Sequence, residues 1–286
     1  MPTPYRKYIR ANMKTILKSL RKKSVCAFLP LSVLGYYSLN ILYILPHLCE
    51  SYLSIWYIIH VLPITFMVFN ILTNYYAMIF VDSSVFGRVL HTPHNAITSS
   101  TYCDVCQCIM PPRCWHCEEC NVCILTRDHH CMFSQTCVGH YNRRYFLWLL
   151  VYLVVSCWYE IILLGFYSYN EVTFQLSDLQ ILSPSRVLII YHSITKGQVF
   201  VFLLTVNMAS VLFTTLLLIF HLEKVSGGLV AHDKNSERKY NIGMIGNLKT
   251  VFGRQWFMTW ISPFVESNLP HDGLNWDILT ERNKLL

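Results

Sequence analysis

The sequence predicts an α-helical integral membrane protein: four transmembrane helices, with a cysteine-rich domain on the cytosolic side between the second and third. Three observations predict it. The 286 residues are 53% hydrophobic and 14% charged, where a soluble domain carries nearer a quarter charged residues, and the mean hydropathy is +0.37. Four apolar stretches each supply the roughly 20 helical residues that a hydrocarbon core of about 30 Å demands. Nine of the twelve cysteines fall between Cys103 and Cys137.

Residues 1–24 form a basic N-terminal segment with eight Lys or Arg. It runs into apolar sequence with no small-residue cleavage site, unlike a signal peptide. Residues 25–81 hold the first two spans, Val25–Leu45, expected to stop at Pro46, and Ile55–Val81, where Pro63 is placed to kink the helix. Residues 82–144 are the cysteine-rich domain. Residues 145–221 hold the other two spans, Tyr145–Tyr167 and Val199–His221, joined by a lumenal connection, and residues 222–286 form the C-terminal segment. Four spans return both termini to one side. Twenty-one of the 23 Lys and Arg lie before the first span, between the second and third, or after the fourth. By the positive-inside rule that side is the cytosol. Inside the spans, Asn70, Glu160 and Asn207 are read as polar contacts between helices, or for Glu160 a reach toward the lumenal interface, against a functional role of the kind intramembrane ionisable groups often have. Phe252, Trp256, Phe257, Trp260 and Phe264 suit a membrane interface.

The cysteine-rich loop reads CDVCQCIMPPRCWHCEECNVCILTRDHHCMFSQTC. A disulfide framework belongs to small secreted domains, so reduced, metal-binding thiols are the better reading. Zinc takes four Cys or His ligands, with pairs two to four residues apart. Cys103 and Cys106 make one such pair, Cys117 and Cys120 another, and His116, Cys123, His130 and Cys137 can complete two tetrahedral sites. Spacing alone leaves the partition open, because Cys108 and Cys114 lie nearby. Ferredoxin-type spacings are absent. Between Thr101 and His140 the bases are Arg113 and Arg127 and the acids Asp104, Glu118, Glu119 and Asp128. A net-negative loop does not bind phosphate backbones, so nucleic acid is excluded as a partner.

Cys131 is surplus to eight ligands. A free thiol is only a few per cent ionised near neutral pH and needs a base or cation beside it. His129 can take the thiol proton on one ring nitrogen while Asp128 holds the other. His130, facing the other way in an irregular turn, serves the metal. The bland alternative is that Asp128–Cys131 only decorates a metal loop.

From Cys103 to Phe146 the chain resembles the Asp-His-His-Cys (DHHC) protein S-acyltransferases, the palmitoyltransferases. The matching residues are Cys103, Cys106, His116, Cys117, Cys120, Cys123, Asp128, His129, His130, Cys131 and Cys137, then Val138-Gly139, Asn142 and Phe146, with Pro111 and Arg113 also fitting. The resemblance implies two structural zinc ions, one on Cys103, Cys106, His116 and Cys123, the other on Cys117, Cys120, His130 and Cys137. It makes Cys131 the acylated nucleophile, His129 its base and Asp128 the orienter. The stretch GMIGNLKTVFG resembles the family's C-terminal motif and gives Asn247 a supporting structural role. The chain departs from the family at Met132-Phe133, in place of Pro-Trp, at Arg127 and at Met110. It also lacks a Thr-Thr-x-Glu motif after the fourth span, where it reads HLEKVSGGLVAHDKN.

The resemblance implies a two-step reaction in which a long-chain acyl group, palmitoyl above all, passes from acyl-CoA to Cys131. It then moves to a cysteine of a membrane-associated protein substrate at the lipid bilayer. A 16-carbon tail prefers apolar surroundings by roughly 10 kcal/mol at about 0.8 kcal/mol per CH₂, so a cavity among the helices is expected beside Cys131. Arg127, Arg143 and Arg144 are candidates for the CoA head, against a reading as interfacial charges. The competing functions are a catalytically weak DHHC-like membrane scaffold, suggested by the absent Thr-Thr-x-Glu, and a zinc-dependent protein-binding module. The expected location is the endomembrane system, endoplasmic reticulum or Golgi, with the plasma membrane also open.

Overall fold

The computed structural model describes residues 23–89, 102–171, 179, 181, 195–233 and 240–276. Four helices are long and apolar enough to cross a membrane: α1 (Lys23–Cys49), α2 (Ile55–Phe80), α3 (Arg143–Glu171) and α4 (Lys196–Ser226). Leu62, Val155, Ile162, Leu212 and Leu216 stand exposed along them. Lipid, and not water, is the solvent in which such surfaces cost nothing. Pro63 lies inside α2 without ending it.

α1 does not stop at Pro46. Its residues Asn40–Ile44 widen into a π turn, closed by the Leu45 N–H on Asn40 O. The next bond of that ladder would run from residue 46 to Ile41 O, and proline has no N–H to give. The Tyr57 hydroxyl donates to Ile41 O instead, at 3.1 Å. The helix therefore passes its proline with the stranded carbonyl satisfied and continues to Cys49.

The chain divides into two compact units. One comprises the described parts of Gly35–Thr73 and Leu147–Glu223. Its core is Ile44, Leu164 and Tyr167, with Leu39, Leu48, Phe200 and Leu203 packed around them. Buried Asn40 donates through Nδ2 to Glu160, so Glu160 joins two helices. Asn70 and Asn207 each bond a carbonyl one turn back, on Phe66 and Leu203.

The other unit comprises the described parts of Met1–Leu34, Asn74–Phe146 and Lys224–Leu286. It carries three antiparallel hairpins: β1 (Tyr102–Cys103) with β2 (Cys108–Ile109), β3 (Trp115–Cys117) with β4 (Val122–Ile124), and β5 (His129–Cys131) with β6 (Thr136–Val138). Each turns through four residues, the last of which has positive φ: Gln107 (49°), Asn121 (54°) and Gln135 (54°). After the hairpins, Asn142 accepts from the Gly139 N–H and donates to Cys137 O and Met78 O, tying β6 to the end of α2. Gly139 admits no side chain, since a Cβ there would lie 2.7 Å from Leu125 O. A short helix, α5 (Met244–Phe252), follows α4. Of the aromatics beyond Asn247, Phe257, Trp260 and Phe264 are exposed, as an interface belt requires, whereas Phe252 is buried.

Candidate active site and metal centres

Side chains alternate faces along a strand, and residues directly opposite on paired strands share a face. In the second hairpin His116 pairs with Cys123, and Cys117 with Val122, so His116 and Cys123 look one way and Cys117 the other. In the third, His130 pairs with Cys137. The result is two clusters: Cys103, Cys106, His116 and Cys123, and Cys117, Cys120, His130 and Cys137, the ligand atoms of each lying within 4.8 Å of one another. The middle hairpin serves both. Cys108 and Cys114 are buried in the apolar core beside the first cluster and belong to neither. The described cysteines are all free thiols.

The separations suit a tetrahedral ion. With Zn–S near 2.3 Å and Zn–N near 2.05 Å, a tetrahedron sets sulfur and nitrogen roughly 3.6 Å apart and two sulfurs roughly 3.8 Å apart. His116 Nδ1 lies 3.5, 3.5 and 3.8 Å from the sulfurs of Cys103, Cys106 and Cys123. His130 Nδ1 lies 3.7, 3.3 and 3.7 Å from those of Cys117, Cys120 and Cys137, and Cys120 Sγ is 3.6 Å from Cys137 Sγ. Each cluster could hold a metal ion.

The same alternation places His129 and Cys131 together on the face of β5 opposite His130. The separation of roles comes from regular strand geometry, not from the irregular turn expected. His129 Nδ1 is 2.9 Å from Asp128 Oδ2, and the ring also hydrogen-bonds Cys131. With Nδ1 committed to Asp128, the other ring nitrogen is left for the thiol. Ser134 contributes hydrogen bonds to Cys131 from its side chain and its backbone. The His129 ring meets Phe146 edge-on, with centroids 4.8 Å apart. Burial opposes charge on His129, but the bonds to Asp128 and Cys131 outweigh it and lift the imidazole to about 9. Burial likewise opposes the Cys131 thiolate, and the donors on His129 and Ser134 reverse that, holding the thiol below its ordinary range. The pair is disposed toward thiolate and imidazolium.

Asp128 is itself held. It is 3% exposed, and its Oδ1 accepts from the Ala231 N–H at 2.7 Å and lies 3.5 Å from Arg143. Arg143 also donates to Leu229 O at 2.8 Å, so its head turns inward. Arg113 donates to Gly228 O at 3.0 Å and pairs with buried Asp233. Gly228 has φ +69°, and a Cβ there would lie 2.8 Å from Tyr240 O. The segment Gly228–Asp233, where a Thr-Thr-x-Glu motif was missed, thus delivers a backbone donor to Asp128. Its flanks rest on Asn247, whose Nδ2 donates to Ser226 O and Asn241 Oδ1 and whose Oδ1 accepts from the Ile242 N–H.

Arg127 donates to His116 O. Arg144 reaches Ser267 O at 3.2 Å and the Tyr145 hydroxyl. At the turn of the third hairpin, the Tyr75 hydroxyl donates to Cys26 O and Phe133 O, and the Cys26 thiol to Ser134 O. Sequence reasoning missed Tyr75, Ser134, Ala231 and Asp233. Only Arg113 carried a signal, in the Pro111-x-Arg113 match. Met132 is 72% exposed beside buried Cys131.

A family model described as DHHC palmitoyltransferase matches residues 96–237. The chain is 32% identical over 231 residues to a probable palmitoyltransferase ZDHHC24 of Danio rerio, covering 79% of this chain and 77% of that protein. It is 29% identical over 220 residues to the probable palmitoyltransferase ZDHHC24 of Rattus norvegicus, covering 76% and 77%. It is 28% identical over 192 residues to the palmitoyltransferase PFA3 of Candida albicans, covering 62% and 51%.

Proposed function

The chain belongs to the DHHC palmitoyltransferase family and is a multi-pass membrane protein S-palmitoyltransferase; on that premise we propose that Cys131 is its nucleophile, served by His129 and Asp128. The observation that supports this reading is the placement of one sulfur outside both metal clusters, on the strand face that carries His129. The two clusters are assigned to structural zinc ions, which fix the hairpins when bound and leave the reaction to Cys131.

In the first step the Cys131 thiolate attacks the carbonyl carbon of long-chain acyl-CoA. A carbon–sulfur bond forms to Cys131, the bond to the CoA sulfur breaks, and CoA leaves as a thiolate that takes up a proton. The imidazolium of His129, formed by taking the Cys131 proton, is the donor for it. Acylation also removes the thiolate that helped to hold the proton on His129, so the ring returns to a neutral base. In the second step a cysteine of a membrane-associated protein gives its proton to His129 and attacks the acyl-Cys131 carbonyl, and Cys131 leaves as thiolate. Thioester exchanges for thioester, so the chemistry is nearly balanced. Asp128 keeps the ring oriented and stabilises its charged form throughout.

The hairpins and both termini are assigned to the cytosolic face, from the distribution of Lys and Arg. The membrane is assigned to the endomembrane system, endoplasmic reticulum or Golgi, with the plasma membrane as the alternative. The CoA phosphates are assigned to Arg127 and Arg144, whose heads bond neutral oxygens, because Arg143 is buried with its charge against the Asp128 carboxylate.

Labelled palmitoyl-CoA tests the assignment. Wild-type protein is expected to take up a hydroxylamine-sensitive label that is absent from Cys131→Ser while both metal ions are retained. Undiminished label on that variant would show another residue to be the carrier.

A further inference from the structure

Beside Arg143, the partner of Asp128, lies a small cavity. It offers about 20 Å³ to the centre of a water-sized sphere and is bounded by Arg113, Thr126 and Arg143, with Val225, Val251 and Trp276 among its walls. A cavity needs roughly 10–15 Å³ by this measure to hold one water. Three of the polar side chains on it have an atom without a hydrogen-bond partner among the described residues: Arg113 Nε, Arg143 Nε and Thr126 Oγ1. All three residues are more than nine-tenths buried, at 8%, 5% and 4% exposure. Orphaned buried donors are rare in folded proteins, and their natural partner in a polar cavity of this size is a water molecule.

The charges decide against an anion. Arg113 is matched by Asp233 and Arg143 by Asp128. His140, also on the cavity, is pushed by burial down to about 4 and is neutral. No positive charge is left over. The donor set fits water: two Nε–H groups can give to its two lone pairs, and one of its protons can go to Thr126 Oγ1. Thr126 adds a second observation. It is β-branched yet sits at φ +46°, a conformation such residues avoid.

We infer that this cavity is a hydration site, where one ordered water joins Arg113, Arg143 and Thr126, and that Thr126 and the two arginines are positioning residues for Asp128. Through the water, the Arg113–Asp233 pair and the Arg143–Asp128 pair become one network. That network holds the Gly228 and Leu229 carbonyls, and so the Ala231 N–H that Asp128 accepts. The catalytic consequence rests on the role proposed above for Asp128; the hydration site does not.

Thr126→Val in the full-length, detergent-solubilised protein separates the possibilities. Valine keeps the branch, the volume and the backbone demand and removes only the hydroxyl. If the hydroxyl has no partner, its replacement stabilises the protein. If it holds a water, the apparent melting midpoint falls, by about 2–4 °C. The rate constant of Cys131 acylation is expected to fall about tenfold, with both metal ions and the acyl-CoA dependence retained, and Thr126→Ser is expected to restore midpoint and rate. A midpoint that stays or rises overturns the hydration site. A lowered midpoint with an unchanged rate overturns the positioning role. Wild-type protein that never labels at Cys131 counts against the nucleophile, not against the water. Should Thr126→Val fail to fold, a high-resolution map of the wild-type protein decides: density bonded to all three groups supports the site, and an empty or ion-filled cavity overturns it.

Discussion

At the scale of single residues the site turns on what Asp128 does to one imidazole. Asp128→Asn nearly preserves shape, and the asparagine oxygen can still accept from the Ala231 N–H. Its amide group then faces His129 Nδ1 as a donor, so the ring must carry its proton on the other nitrogen, toward Cys131. A ring in that tautomer cannot take the thiol proton. Formation of the acyl-enzyme is expected to slow by about 100-fold, the lower end of what a positioned base supplies, with metal content unchanged. The pH profile gives the sign. Only the thiolate attacks, so the rate falls as pH drops through the Cys131 pKa, which lies below the ordinary thiol range. Asp128→Asn weakens the imidazolium that lowers that pKa, so the acid limb should move to higher pH. An unmoved limb in rapid-quench measurements of the first step would mean that Asp128 does not act through His129.

At the scale of elements, the three hairpins convert sequence spacing into a division of labour. The ligand types and the surplus of Cys131 were legible in the sequence. The partition was not, because spacing leaves Cys108 and Cys114 as contenders; strand alternation resolves it once His116 is seen opposite Cys123 and His130 opposite Cys137. The Ala231 donor was illegible for a different reason: a backbone N–H has no side-chain signature, and it meets Asp128 across 103 positions of sequence. The absent Thr-Thr-x-Glu suggested a weakened site, and nothing in the sequence announced that the segment still gives Asp128 a backbone donor. Pro46 misled in the same way, because the rescue of Ile41 O comes from the distant Tyr57. The hairpins also make a prediction. His116→Ala and His130→Ala should each lower bound zinc from two ions to one per chain, by elemental analysis. His130→Ala should abolish labelling, because β5 carries both His129 and Cys131. His129→Ala should keep both ions, since that ring faces away from the cluster. Loss of zinc from His129→Ala would refute the assignment of faces.

At the scale of the whole molecule, the apolar runs were the most legible feature, because lipid imposes length and composition on any helix that spans it. All four expected spans appear; the first, third and fourth run a few residues longer than expected, and the second ends one residue earlier, at Phe80. Which end faces the cytosol is a matter of charge. Residues 168–198 contain only Arg186 and Lys196, while residues 82–144 contain Arg88, Arg113, Arg127, Arg143 and Arg144. The proposed chemistry also needs the hairpins on the side that holds acyl-CoA and reduced thiols, since free ligand cysteines would be oxidised in the lumen. The two requirements are independent, and they agree. An Asn-x-Ser acceptor introduced near residue 184 should therefore be glycosylated in microsomes, and one placed near residue 95 should remain bare. The opposite pattern would put Cys131 in the lumen, away from its acyl donor, and the assignment of the reaction to the cytosolic face would fail with it.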